Sequence, residues 1–102
     1  MIHVLTHVDI VPPKVDEGTD LLLEFVAASS HSAGLVSLAL LRQAARKNHF
    51  ELHWVWRTEA DYEHHLRNQA TRGFRERLQP LVGSPVLDRV HTPVDLDARA
   101  GE

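Results

Sequence analysis

The stretch Leu35–Arg57, LVSLALLRQAARKNHFELHWVWR, carries two strands in succession with no helix between them. Leu35 to Leu41 is apolar at positions of both parities, the pattern of a strand covered on both faces. Gln43 to His49 is a polar, basic connection. Phe50 to Arg57 alternates: Phe50, Leu52, Trp54 and Trp56 take one side, and Glu51, His53, Val55 and Arg57 the other.

Upstream, Ile2 to Val11 (IHVLTHVDIV) also alternates, with Ile2, Val4, Val8 and Ile10 on one face and His3, Leu5, His7 and Asp9 on the other. Pro12-Pro13 ends it, because proline donates nothing to a ladder. Lys14 to about His31 reads as a helix: Leu22, Phe25, Val26 and Ser29 recur at three- and four-residue spacing, and Asp16 and Glu17 occupy the first turn, where the helix dipole favours them. Gly18 weakens that helix, and the segment from Ser29 to Gly34 stops it. Downstream, Thr58 is an N-cap with Asp61 in capping-box position. Tyr62, Leu66, Ala70, Phe74, Leu78 and Leu81 then form an apolar stripe on a helix ending near Pro80–Gly83, with a break expected near Gly73. Pro85 to Thr92 reads as a short strand, and residues 94–102 as a polar tail.

The order is β-α-β-β-α-β, an α+β ferredoxin-like domain over residues 1–93 built on an antiparallel sheet. Helices cover one face of such a sheet. The apolar second strand therefore calls for a cover on the other face, and a second copy of the chain is the simplest one. The expectation is a homodimer whose sheets pack face to face.

Composition narrows the function. The 102 residues suffice for one small domain, and 43% apolar with 25% charged residues is an ordinary globular balance. A net charge of -3, from 11 basic and 14 acidic side chains, argues against a nucleic-acid or polybasic membrane-surface binder. With no cysteine, disulfides, thiolate metal sites and cysteine nucleophiles are excluded. The longest apolar-rich run, Gly34 to Leu41, is too short to cross a bilayer, and the start of the chain has no signal-peptide pattern; the cytoplasm is the default location.

Eight histidines raise a functional question. His65 lies three residues after Tyr62, on the flank of the apolar stripe, where a neutral imidazole can serve as a base near pH 7; the ordinary alternative is a histidine hydrogen-bonded at a helix–sheet seam. Trp54 and Trp56 either sandwich an aromatic substrate or fill the core, and Tyr62 and Phe74 join them as substrate-lining candidates. His7 faces away from the apolar set of its strand and is a second candidate base. His3 shares that face, but four strand residues span about 13 Å, too far for the two to share a metal. The same objection applies to His49 and His53, so no metal set is expected. Arg67, Arg72, Arg75 and Arg77 read as a solvated basic face, or as an anchor for an anionic substrate.

From about Thr6 to Thr92 the chain resembles the antibiotic biosynthesis monooxygenase-like domains, which are dimeric α+β barrels. The resemblance rests on THVDIVPPK, GLVSLALLR, NHFELHWVWRTEADYEHHL and TRGFRERLQPLVGSP. It implies cofactor-independent oxygenation of a small electron-rich aromatic (an anthrone, phenol or hydroquinone) by O2, with the substrate supplying the electrons and a base removing a proton. His65 matches the family's helical histidine. Two positions depart: Trp54 stands where relatives usually carry a glutamate, and Ala70 where they often carry a second histidine. Those departures favour an alternative, a non-redox binding or isomerising module on the same scaffold. Haem degradation, a further activity on this scaffold, would place its tryptophan and histidine at His65 and Arg75.

Overall fold

The computed structural model describes residues 1–95, so most of the expected polar tail lies outside the described residues. Four strands, β1 (Ile2–Asp9), β2 (Leu35–Arg42), β3 (His49–Trp56) and β4 (Leu87–His91), form one antiparallel sheet in the order β2-β3-β1-β4. Helix α1 (Val15–Ser29) joins β1 to β2, and α2 (Glu59–Arg67) and α3 (Gln69–Leu78) join β3 to β4. This is the ferredoxin-like arrangement expected from the sequence, with its second helix divided in two. No described helix is long and apolar enough to cross a membrane.

The alternation sets the core. Ile2, Val4 and Val8 of β1, and Ile10 just after it, meet Phe50, Leu52, Trp54 and Trp56 of β3 beneath the helices, all of them buried. Leu21, Leu22 and Phe25 of α1, Tyr62 of α2, and Phe74 and Leu78 of α3 complete it. Gly18 earns its place at the α1–β1 crossing, since a Cβ there would sit 2.7 Å from the Ile10 side chain. Gly34 turns the chain into β2 at φ 79°, where an added Cβ would overlap the Asp61 carboxyl.

The other face of the sheet is open. Following the register from β2 to β4, one row carries Leu41, Glu51, His7 and Leu87; the next Ala39, His53, Leu5 and Arg89; the last Ser37, Val55, His3 and His91. Strand β2 sits at the sheet edge. Its Leu35, Leu38 and Leu40 pack against the core, while Val36 and Leu41 are exposed in the single chain.

The helix break falls at Asn68 rather than near Gly73. Asn68 takes an extended conformation (φ -63°, ψ 135°), ends α2, and caps α3 through its side-chain oxygen, which accepts from Ala70 N at 2.8 Å. Asparagine competes with the backbone for hydrogen bonds in this way, which makes it a better cap than helix interior. Gly73 stays helical. Strand β1 ends at Asp9, two residues early, and Ile10 instead bridges Val82.

One carboxylate ties the elements together. Asp88 on β4 accepts from Thr6 Oγ1 of β1 at 2.7 Å and from the Tyr62 hydroxyl of α2 at 2.6 Å, and it takes both of its Arg75 contacts from α3 at 2.8 and 3.0 Å. Thr6 in turn accepts from the Trp54 indole N–H of β3 at 3.2 Å. Asp88→Ala leaves the guanidinium and two hydroxyls without their acceptor and should lower the unfolding free energy by about 3 kcal/mol, against about 1 kcal/mol for Tyr62→Phe. Urea unfolding of the two variants checks this; equal losses would mean the carboxylate is not the hub.

Candidate active site

Helix α2 delivers His65 into the interior. Thr58 starts that helix by accepting from Asp61 N at 3.1 Å, and its hydroxyl donates to the Asp61 carboxylate at 2.9 Å. Tyr62 and His65, three residues apart, then share the inward face. His65 is 6% exposed, and its ring lies 4.7 Å from Trp54, 4.9 Å from Trp56 and 6.1 Å from Phe25, centroid to centroid. The two indoles stack on each other at 5.7 Å and 15°.

The break at Asn68 has a direct effect on this ring. It swings α3 so that the buried Thr71 hydroxyl lies 3.2 Å from His65 Nδ1. Among the described residues Nε2 has no partner. Burial in this apolar setting, and to a lesser extent the Arg75 cation, push the His65 pKa down from 6.5 to about 4, with Asp88 opposing. The imidazole is therefore neutral at neutral pH. Tyr62 is driven the other way, because burial and its bond to the Asp88 carboxylate both disfavour the phenolate.

One hollow borders the histidine, and a second lies between α1 and α3. A polar cavity of about 240 Å³ is lined by His65 and Trp56 together with Ser32, Asp61, His64 and Asn68. Within the described residues, the Trp56 indole nitrogen is the one buried side-chain donor or acceptor lacking a partner. The second, an apolar cleft of about 250 Å³, has Ala28, Ala70 and Gly73 among its lining, with Phe25 and Phe74 stacked at 3.8 Å. The Glu24–Arg77 ion pair, at 3.2 Å, joins two residues of that lining.

The sequence candidates thus divide. His65 and Trp56 line one cavity, Trp54 packs behind the imidazole, and Phe74 lines the apolar cleft. Tyr62 shares the face of α2 with His65, but its hydroxyl is committed to Asp88. His7 lies on the open face, with the sheet between it and His65, and its Nδ1 is 3.3 Å from Glu51. Arg75, of the basic face, is turned inward onto Asp88. Sequence reasoning missed Thr6, Thr71 and Asp88. The capping ability of Asn68 is the one signal in the chain that points to how Thr71 is aimed, and it went unread. Among the described residues, no group of three or more histidine, aspartate or glutamate side chains is arranged to hold a metal ion.

Residues 1–77 match the family model described as antibiotic biosynthesis monooxygenase. Among solved structures, one titled antibiotic biosynthesis monooxygenase superposes with a TM-score of 0.88 at 16% identity, covering 93% of this chain and 100% of that one. A Mycobacterium tuberculosis protein gives 0.85 at 19% identity, over 92% of this chain and 95% of its own. A Pseudomonas aeruginosa protein gives 0.83 at 18%, over 92% and 94%. At these identities the structures establish the fold alone. No curated protein matches the sequence.

The depressed pKa has a stability consequence. Unfolding returns His65 to an ordinary pKa near 6.5, so below that pH the unfolded chain binds a proton that the folded chain refuses. The stability linked to this residue is intact above pH 6.5 and is lost as pH falls towards 4, by about 3 kcal/mol in all. Between pH 7 and pH 4, wild-type protein should lose that much more unfolding free energy than His65→Gln. Parallel losses would contradict a buried, neutral imidazole.

Proposed function

Because the chain belongs to the antibiotic biosynthesis monooxygenase family, we propose that it oxidises a small phenol or hydroquinone with O2, using His65 as the proton acceptor. The observation that carries this reading is His65 itself: a neutral imidazole set among three aromatic rings, with one nitrogen unpartnered beside a cavity. That cavity, at about 240 Å³, suits one or two rings better than the polycyclic anthrones that the resemblance also allows.

The substrate hydroxyl donates to Nε2 and then transfers its proton there. A free imidazole with a pKa near 4 is a weak base, but transfer creates a phenolate beside the new imidazolium, and the pair attract strongly where water is sparse. The electron-rich ring carbon then bonds to dioxygen, which accepts two electrons and becomes a carbon-bound peroxide. The O–O bond breaks with loss of water, and the ring keeps one oxygen as a carbonyl. For a hydroquinone the balance is quinol plus O2 giving hydroxyquinone plus water, with all four electrons from the substrate. Trp56 offers its unpartnered N–H to a substrate oxygen, which would recover the roughly 1–3 kcal/mol that an unsatisfied buried donor costs. Trp54 braces the imidazole, Tyr62 holds α2 in register through Asp88, and Phe74, stacked on Phe25, walls the apolar cleft as a substrate-lining residue. A second copy packs over Leu41, Leu5 and Leu87 of the open face to make the homodimer. No cofactor enters this scheme.

A second reading takes its support from the same low pKa. An imidazole that resists protonation can accept a hydrogen bond without taking the proton, as in a binding or isomerising module. Oxygen uptake with a panel of hydroquinones and phenols separates the two. Oxygenation predicts uptake that falls about 10²–10⁴-fold in His65→Ala and in His65→Gln. Ligand-dependent thermal stabilisation without uptake favours the binding module. Uptake that survives both variants and disappears in His7→Ala would move the base to the open face.

A further inference from the structure

The two buried threonine hydroxyls on helices differ in where their hydrogen goes. A threonine inside a helix can return it to the carbonyl four residues back, as Thr19 of α1 does to the Val15 carbonyl at 2.6 Å. Thr71 makes no such bond. It stands in the first turn of α3, and the residue four back, Arg67, ends α2 on the far side of the extended Asn68. Thr71 is 2% exposed, and within the described residues its hydroxyl meets His65 Nδ1 at 3.2 Å and nothing else.

That contact can run in either direction, and the direction decides which nitrogen of His65 carries the ring hydrogen. Where the hydroxyl donates, Nδ1 holds the lone pair and Nε2 the hydrogen. Where the hydroxyl accepts, Nδ1 holds the hydrogen and Nε2 the lone pair. The free protein favours the first arrangement, because the second buries an O–H that has no acceptor. A substrate hydroxyl that donates to Nε2 demands the second. Thr71 serves both, since its oxygen has two lone pairs and its hydrogen turns about the C–O bond.

We propose that Thr71 is the positioning residue of His65 and that their hydrogen bond reverses when a hydroxylated ring binds. Thr71 donates to Nδ1 in the free protein and accepts from Nδ1–H in the complex. This rests on the reading of His65 as the proton acceptor. It extends that reading to the whole reaction. The quinol donates to Nε2, the imidazolium formed by proton transfer carries a hydrogen on each nitrogen, and the quinone carbonyl accepts from Nε2–H. Thr71 satisfies Nδ1 at every stage, as acceptor in the first two and donor in the last.

Nitrogen-15 NMR of the imidazole reads the hydrogen directly, in the full chain kept free of oxygen so that no turnover intervenes. The expected result is a hydrogen on Nε2 of His65 in the free protein, moving to Nδ1 in saturating phenol. A hydrogen on Nδ1 in the free protein, or a ring that phenol leaves unchanged, would overturn the proposal. Oxygen uptake with hydroquinone is the second arm. Thr71→Val leaves Nδ1–H without an acceptor in the reactive arrangement and should lower kcat/KM by about tenfold to a hundredfold, the factor that an unpaired buried donor costs. Thr71→Ser keeps the hydroxyl and should restore most of the loss. Circular dichroism of both variants shows whether the fold is retained. Full uptake in Thr71→Val, or equal losses in the two variants, would reduce Thr71 to packing and overturn the proposal. Uptake lost in His65→Gln but kept in Thr71→Val overturns this inference alone, whereas uptake kept in His65→Gln overturns the base reading and this inference with it.

Discussion

The Asp88 carboxylate is the constraint on which the helix side of the sheet depends. It gathers β1 through Thr6, α2 through Tyr62 and α3 through Arg75, and β3 joins by way of the Trp54 indole. A half-buried anion with this many donors is fully hydrogen-bonded, which offsets the cost of removing it from water. It also fixes position. Tyr62 and His65 share one face of α2, so anchoring the tyrosine hydroxyl sets how far the histidine reaches onto the two tryptophans. The residues that build the candidate site are therefore held by a group that touches none of its cavities.

The environment of His65 follows from that placement. Apolar rings surround it, Thr71 orients one nitrogen, and the cation that completes the Asp88 cluster adds to the penalty on protonation. Such a site keeps the imidazole ready to accept a proton while making the free imidazolium unfavourable. The proton becomes acceptable when a substrate anion arrives with it. Binding and proton transfer are thereby coupled, and the low-dielectric surroundings that weaken the base alone strengthen the ion pair.

The two faces of the sheet have divided the polar chemistry between them. Beneath the helices there is one histidine, dry and neutral. On the open face there are five, four of them near a partner that depends on the register of neighbouring strands. Period-two alternation produces this segregation without any long-range design, because each outward position of β1 and β3 simply adds to the face the helices leave uncovered.

Much of the architecture was legible in the chain. Alternation in Ile2–Val11 and Phe50–Arg57 identified both the strands and their inward residues, because a side chain's face depends only on its parity. The helical stripe identified Tyr62, Phe74, Leu78 and Leu81 as buried and the eccentric position of His65, but Ala70 is exposed and Thr71 turns inward instead, because the break at Asn68 resets the helical phase. What the chain could not specify was which distant residues meet. That Asp88 binds Thr6, Tyr62 and Arg75, that Thr71 reaches His65 once Asn68 breaks the helix, and that His3 finds His53 all depend on strand register and helix packing. Local periodicity carries no information about register across 50 or 82 residues of separation. Tertiary structure alone decided those contacts, because each is fixed by the simultaneous packing of several elements rather than by any one of them.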